Sequence, residues 1–179
     1  MNVFVLNTGR CGSTTFIKAC QHIDNYTAGH ESRARHTGPD RLSYPEHHIE
    51  ADNRLSWFLG RLEQHYGDNA FYIHLARNTE DTVASFTRRS GFGIMKAYRK
   101  GIYMTKHTDN MEQYARDYVD TVNANIRHFM KDKTHTMDFQ LEQAKQHFWD
   151  FWQEISATGD RDAALDEWDT VYNKYQKKL

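Results

Sequence analysis

The run Val3-Phe-Val-Leu-Asn-Thr-Gly-Arg-Cys-Gly-Ser-Thr-Thr-Phe16 leaves this chain few ways to fold. Its apolar opening reads as a buried strand, Gly9 and Gly12 break it, and Ser13, Thr14 and Thr15 lead into a helical pattern from Phe16 to about His22. A strand that turns this tightly into a helix forms an anion cradle. Successive backbone N–H groups point at one spot, and the helix N-terminus adds about half a positive charge. Gly9 and Gly12 permit backbone angles and a close approach that a side chain would block. Arg10 places a fixed positive charge in the same turn.

The rest of the chain continues the alternation. Apolar runs predict strands at about 2–7 and 70–76, and shorter segments at about 26–29, 47–51 and 134–138 suit three more. Helical patterns lie between most of them: one after Asp52 or Asn53 carrying Leu55, Phe58, Leu59 and Leu62, and one capped by Thr79 with Glu80 and Asp81 in its first turn. A long apolar stripe runs from about Asn110 to Lys131, a helix from Leu141 to Ile155, and a last one from Asp160 to near Tyr175. This order predicts an α/β protein, a three-layer α/β/α fold with a mostly parallel sheet. Ligands of such folds bind at the carboxyl ends of the strands. The first turn, Glu31 and Arg77 all follow strand ends, so they should meet along one edge.

The first turn is not a Walker A sequence. That motif places Lys directly after its second conserved glycine, whereas here Ser13-Thr14 follow Gly12 and the cation comes earlier, as Arg10. The pattern resembles instead the 5′-phosphosulfate loop of sulfotransferases, enzymes that use 3′-phosphoadenosine 5′-phosphosulfate (PAPS). A second segment is similar to the same family. The strand Phe71-Tyr-Ile-His-Leu-Ala76 is followed by Arg77 and, eight residues later, by Ser85, the pair that binds the 3′-phosphate in those enzymes. A guanidinium fork suits a phosphate, and a hydroxyl two helical turns on adds a neutral donor. The third match, Gly29-His30-Glu31-Ser32-Arg33, resembles the Gly-x-Glu-x-Arg segment that supplies the catalytic base in tyrosylprotein sulfotransferases, with Glu31 lying 21 positions after Arg10.

The resemblance covers residues 1 to about 90 and implies one P-loop-NTPase-like sulfotransferase domain over 1–179. It implies PAPS as sulfuryl donor and 3′,5′-diphosphoadenosine (PAP) as product, with no metal. The donor would be bound by Gly9, Arg10, Cys11, Gly12, Ser13, Thr14, Thr15, Arg77 and Ser85. Glu31 would be the base and Arg10 would stabilise the leaving oxygen, with His30 a competing base because imidazole titrates near neutrality. An ion pair of Glu31 with Arg33 or Arg35 is the plain structural alternative. The acceptor would be a hydroxyl or amine on a small molecule, carbohydrate or peptide. Two other functions fit less of the pattern: a nucleotide or nucleoside kinase, and a non-catalytic nucleotide-binding module.

Composition sets further bounds. A net charge of −1 over 179 residues argues against a general nucleic-acid binder. No stretch reaches membrane-spanning length and the first strand starts within three residues of Met1, so the expectation is a cytoplasmic protein without a membrane partner. The tyrosylprotein branch is anchored and luminal, and the chain departs from it there. Cys11 and Cys20 are the two cysteines, too far apart along a helix to bridge; Cys11 is either an activated thiol at a helix start or a small loop residue. Eleven histidines show no metal-ligand spacing. Arg33, Arg35 and Arg41 sit in a loop that either holds an acidic acceptor or is simply solvated. From Thr82 to Thr108 there is no acidic residue, while Arg88, Arg89, Lys96, Arg99, Lys100 and Lys106 alternate with Phe92, Tyr98 and Tyr103. That segment reads as a lid over the donor, a nucleic-acid face or a solvated basic helix, and its Arg99-Lys100-Gly101 spells a family motif much earlier than usual. Trp149, Trp152 and Trp168 read as packing anchors.

Overall fold

The two central strands form where the apolar runs lie, and the parallel pairing of the sheet follows from the helices between its strands. The computed structural model describes residues 1–89, 91, 93–107, 109–170 and 172. Five strands, β1 (Asn2–Asn7), β2 (Thr27–His30), β3 (His48–Ala51), β4 (Ala70–Ala76) and β5 (Thr136–Gln140), make one sheet in the order β2-β3-β1-β4-β5. Every pairing is parallel, with Val3 of β1 opposite Ile49 on one side and Phe71 on the other.

Buried on both faces, β1 sends alternate side chains to opposite cores. Val3 and Val5 join Phe16, Phe139, Phe148 and Phe151 on one side of the sheet, under α1 (Ser13–Cys20), α6 (Ala144–Glu154) and α7 (Arg161–Asp166). Phe4 and Leu6 join Leu62, Val83, Phe86 and Tyr118 on the other, under α2 (Leu59–His65), α3 (Thr79–Thr87) and α5 (Met111–Met130), with Met95 of α4 (Gly93–Ala97) in the same core. The fold is therefore α/β in three layers, as the element order implied. The chain leaves β1 toward β2 on one side and leaves β4 toward β5 on the other, although β1 and β4 are neighbours. A reversal of this kind marks the carboxyl ends of the two strands as the place where ligands of such sheets bind.

Three local expectations are corrected. The helix after β3 is split into a 3-10 turn, Asn53–Trp57, and α2, because Phe58 leaves helical geometry at φ −120° and ψ 21°. Asn78, not Thr79, caps α3: its side chain accepts from the Asp81 amide, and Thr79 is the first helical residue. The final helix breaks into α7 and a 3-10 turn at Glu167–Asp169, and its expected continuation to Tyr175 falls mostly outside the described residues. Among the described residues no helix is long and apolar enough to cross a membrane.

Phe16 anchors α1 to the sheet, its ring meeting those of Phe139, Phe148, Phe151 and Trp168 at centroid distances of 5.1 to 6.1 Å. Phe16→Ala should therefore cost about 3–5 kcal/mol in urea unfolding. A loss under about 1 kcal/mol would mean that this cluster collapses freely around the cavity.

Candidate functional site

The turn after β1 is fixed by its own side chains and by residues of one flanking layer. Asn7 spans it, donating from Nδ2 to the Val5 carbonyl at 2.8 Å and accepting at Oδ1 from the Gly9 amide at 2.8 Å. From one flanking layer, Tyr118 donates to the Thr8 carbonyl at 2.8 Å and Ser56 to the Asn7 carbonyl at 3.2 Å. Gly9, Arg10 and Gly12 all take left-handed angles, φ 83°, 64° and 92°. A Cβ on Gly12 would also stand 2.6 Å from Leu141 Cδ1. Gly12 then caps α1 without any side-chain acceptor, so the helix start keeps its positive end at the carboxyl end of β1. Ser13 and Thr14 are half-buried there, whereas Thr15 is buried.

Cys11 faces the other way. It is fully buried and its thiol donates to Asn7 Oδ1 at 3.5 Å, so its side chain cannot reach a ligand and only its backbone borders the cradle. Full burial in the core, which also pushes the thiol up to about 12, makes this a packed loop residue and not an activated thiol.

The two sequence-distant clusters meet. Arg10 Nε donates to Ser85 Oγ at 3.1 Å across 75 positions of chain. Ser85 is buried on α3, and Arg77 stands at the carboxyl end of β4. The Arg10 guanidinium is held below its ordinary range, first by burial and then by repulsion from Arg89, Arg77 and Arg88. Several like charges are thus gathered against one helix N-terminus, an arrangement that favours an anion. The present partner of Arg77 is Asp81, at 3.2 Å and more than half exposed. Arg88 and Arg89 open the acid-free segment, so its near end adds positive charge to the cradle. Farther along, Arg99 is buried and donates to the carbonyls of Lys106 and His107 at 3.3 and 2.8 Å, fastening its own segment, while Lys100 is exposed. Phe92 lies outside the described residues.

The third motif closes the other side. His30, the last residue of β2, places Nε2 3.1 Å from Ser13 Oγ, which joins this strand end to the cradle. Glu31 follows with φ 54°, its amide bonded to the Ala51 carbonyl at 3.0 Å. Its carboxylate pairs with Arg54, and not with Arg33 or Arg35. Arg33 lies over the Tyr44 ring and donates to the Asp40 carbonyl at 3.2 Å. Arg41 is buried against Asp52 at 2.6 Å, which removes it from any acceptor. The residues that spacing did not single out for the site are Glu50, Asp52 and Arg54, together with Asn53, whose amide lies beside Gly9. Their one visible signal was two acids, Glu50 and Asp52, at alternate positions with the apolar Ile49 and Ala51.

Trp152 is buried and Trp168 stacks on Phe139 at 5.4 Å, as packing anchors would, while Trp149 carries the Arg161 guanidinium at 4.9 Å. No cluster of three or more metal-ligating side chains occurs among the described residues. Compared with protein-family models, curated proteins and solved structures, the chain matches none.

The cysteines give a direct check on the loop. Both are buried, so an aromatic disulfide reagent at pH 8 should leave the native protein unlabelled and label two thiols after denaturation. Because the folded thiols hold their protons above the ordinary value of 9.0, the unfolded chain releases protons first as pH rises. The thiols' contribution to stability should accordingly be constant below about pH 8 and fall above about pH 9. Rapid labelling of native Cys11 would contradict its placement.

Proposed function

We propose that the chain is a sulfotransferase that moves a sulfuryl group from PAPS to a hydroxyl or amine acceptor. The observation that supports this most strongly is the contact between Arg10 and Ser85. PAP carries its two phosphates on one ribose, so a protein gripping both must bring its two phosphate-binding clusters within a sugar's width of each other. Two clusters far apart in the chain, each similar to one half of such a grip, touch at the switch point of the sheet.

In this mechanism the 5′-phosphosulfate lies against Gly9–Thr15, held by loop amides, by Arg10 and by the Ser13 and Thr14 hydroxyls. The 3′-phosphate takes Arg77 from Asp81 and Ser85 from Arg10. The acceptor oxygen or nitrogen attacks sulfur as the bond from sulfur to the 5′-phosphate oxygen breaks. Its proton passes to the Glu31 carboxylate, and the electron pair of the broken bond stays on the phosphate oxygen, where Arg10 and the helix start offset the charge. His30 holds the Ser13 hydroxyl in place. A sulfuryl group carries less negative charge than a phosphoryl group, so fixed cations and amides suffice for the step.

Binding and transfer test this separately. Calorimetry should show PAP bound much more tightly than ATP with Mg²⁺, and Arg10→Ala and Arg77→Ala should each weaken PAP; a preference for ATP would point to a kinase. With ³⁵S-labelled PAPS and a pool of phenol, carbohydrate and peptide acceptors, Glu31→Ala should lower transfer by roughly 10²–10⁴-fold with PAP affinity kept. If His30→Ala abolishes transfer while Glu31→Ala does not, the base is His30. Tight PAP binding with no transfer to any acceptor would leave a binding module.

A further inference from the structure

Glu31 stands at the open end of a chain of charges whose other end is buried. Arg41 Nη2 donates to Asp52 Oδ2 at 2.6 Å, with both side chains almost wholly out of solvent. The second oxygen of Asp52 accepts from the Arg54 amide at 2.8 Å and from Arg54 Nε at 3.3 Å. The far end of the same guanidinium holds the Glu31 carboxylate, which is 36% exposed. Charges of alternating sign therefore run from the interior to the carboxylate of Glu31, next in sequence to the His30 that meets the cradle at Ser13, and Arg54 is the side chain that grips it.

The backbone of Glu31 is anchored by a second buried acid on the same strand. Glu50 accepts from the Ser32 amide at 2.7 Å, from Ser32 Oγ at 2.6 Å and from His48 Nε2 at 3.0 Å. Gly29 makes room for this: a Cβ there would lie 2.7 Å from Glu50 Oε2. Glu50 and Asp52 are two apart on β3 and its end, hence on one face of the sheet, directly beside the register that pairs His30 with Ala51. Glu31 itself holds a left-handed angle that a non-glycine residue adopts only when its surroundings dictate it. Two buried acids that serve the same exposed residue, one through its side chain and one through its neighbour, mark a device for placing that residue.

We propose that Asp52 and Arg54, with Glu50 beneath the turn, are positioning residues that set where the Glu31 carboxylate stands relative to the cradle. The proposal rests on Glu31 being the base for transfer. The three rotatable bonds of a half-exposed Glu would otherwise spread the carboxylate over several places, and misplacement of a reacting group by about 1 Å can cost up to 10²-fold in rate.

The test uses the full chain and the variants Arg54→Ala, Arg54→Lys and Asp52→Asn, with PAP affinity, kcat and KM for ³⁵S transfer, and crystal structures with PAP. Asp52→Asn strands the buried Arg41 and is apt to unfold, so Arg54→Ala, which keeps the Arg41–Asp52 pair, is the deciding variant. It should lower kcat roughly 10- to 100-fold, leave PAP affinity within about twofold, and show Glu31 in more than one place. Arg54→Lys should restore most of the rate. An unchanged kcat with Glu31 still in a single position overturns the proposal, as does a parallel loss of PAP affinity, which would signal general damage. If the native protein transfers no sulfate, the reaction falls and not the positioning; the crystal structures then decide the latter alone.

Discussion

A guanidinium held against a buried hydroxyl 75 positions away is the contact on which the rest of this molecule turns. Arg10 reaches Ser85 only because β1 and β4 are neighbours that send their chains in opposite directions, leaving the two turns above them side by side. The same closeness brings Arg77, Arg88 and Arg89 near enough to repel Arg10. A fold that gathers like charges beside a helix N-terminus gives up stability locally, a cost that a bound anion would offset. The left-handed angles of Gly9, Arg10 and Gly12 belong to this arrangement, since they reverse the chain from β1 into α1 within a few residues.

The opposite wall is built differently. There the positioning comes from ions removed from water. A buried pair such as Arg41–Asp52 contributes little net stability over an apolar substitute, yet removing one partner costs about 3–5 kcal/mol. Such a pair is worth more as a fixed point than as a source of folding energy. From that point the chain of charges reaches outward to Glu31, so a rigid interior sets the direction of a half-exposed side chain.

Much of this was legible in the sequence, for reasons that differ by element. The central strands were visible because parallel strands buried on both faces are largely apolar, as Val3–Leu6 is and as Phe71–Leu75 is apart from His74. The cradle was visible because glycines, hydroxyls and an arginine fall within a few residues of one another. The pairing of Glu31 with Arg54 was not, since it depends on the register of β2 against β3 and spans 23 positions without local periodicity. For the same reason Arg41, which spacing grouped with Arg33 and Arg35 as a loop cation, proved to be buried: its partner Asp52 lies across a strand boundary. Asn78 displaced Thr79 as a cap because both are good capping residues and only the backbone angle at the strand end distinguishes them.

The most direct measurement is a crystal structure of the protein soaked with PAP. The 5′-phosphate should lie against the turn between Arg10 and Thr15 and the 3′-phosphate between Arg77 and Ser85, with Arg77 released from Asp81. The nucleotide lying elsewhere, or the Arg10 and Arg77 side chains turned away from it, would contradict the account at its root.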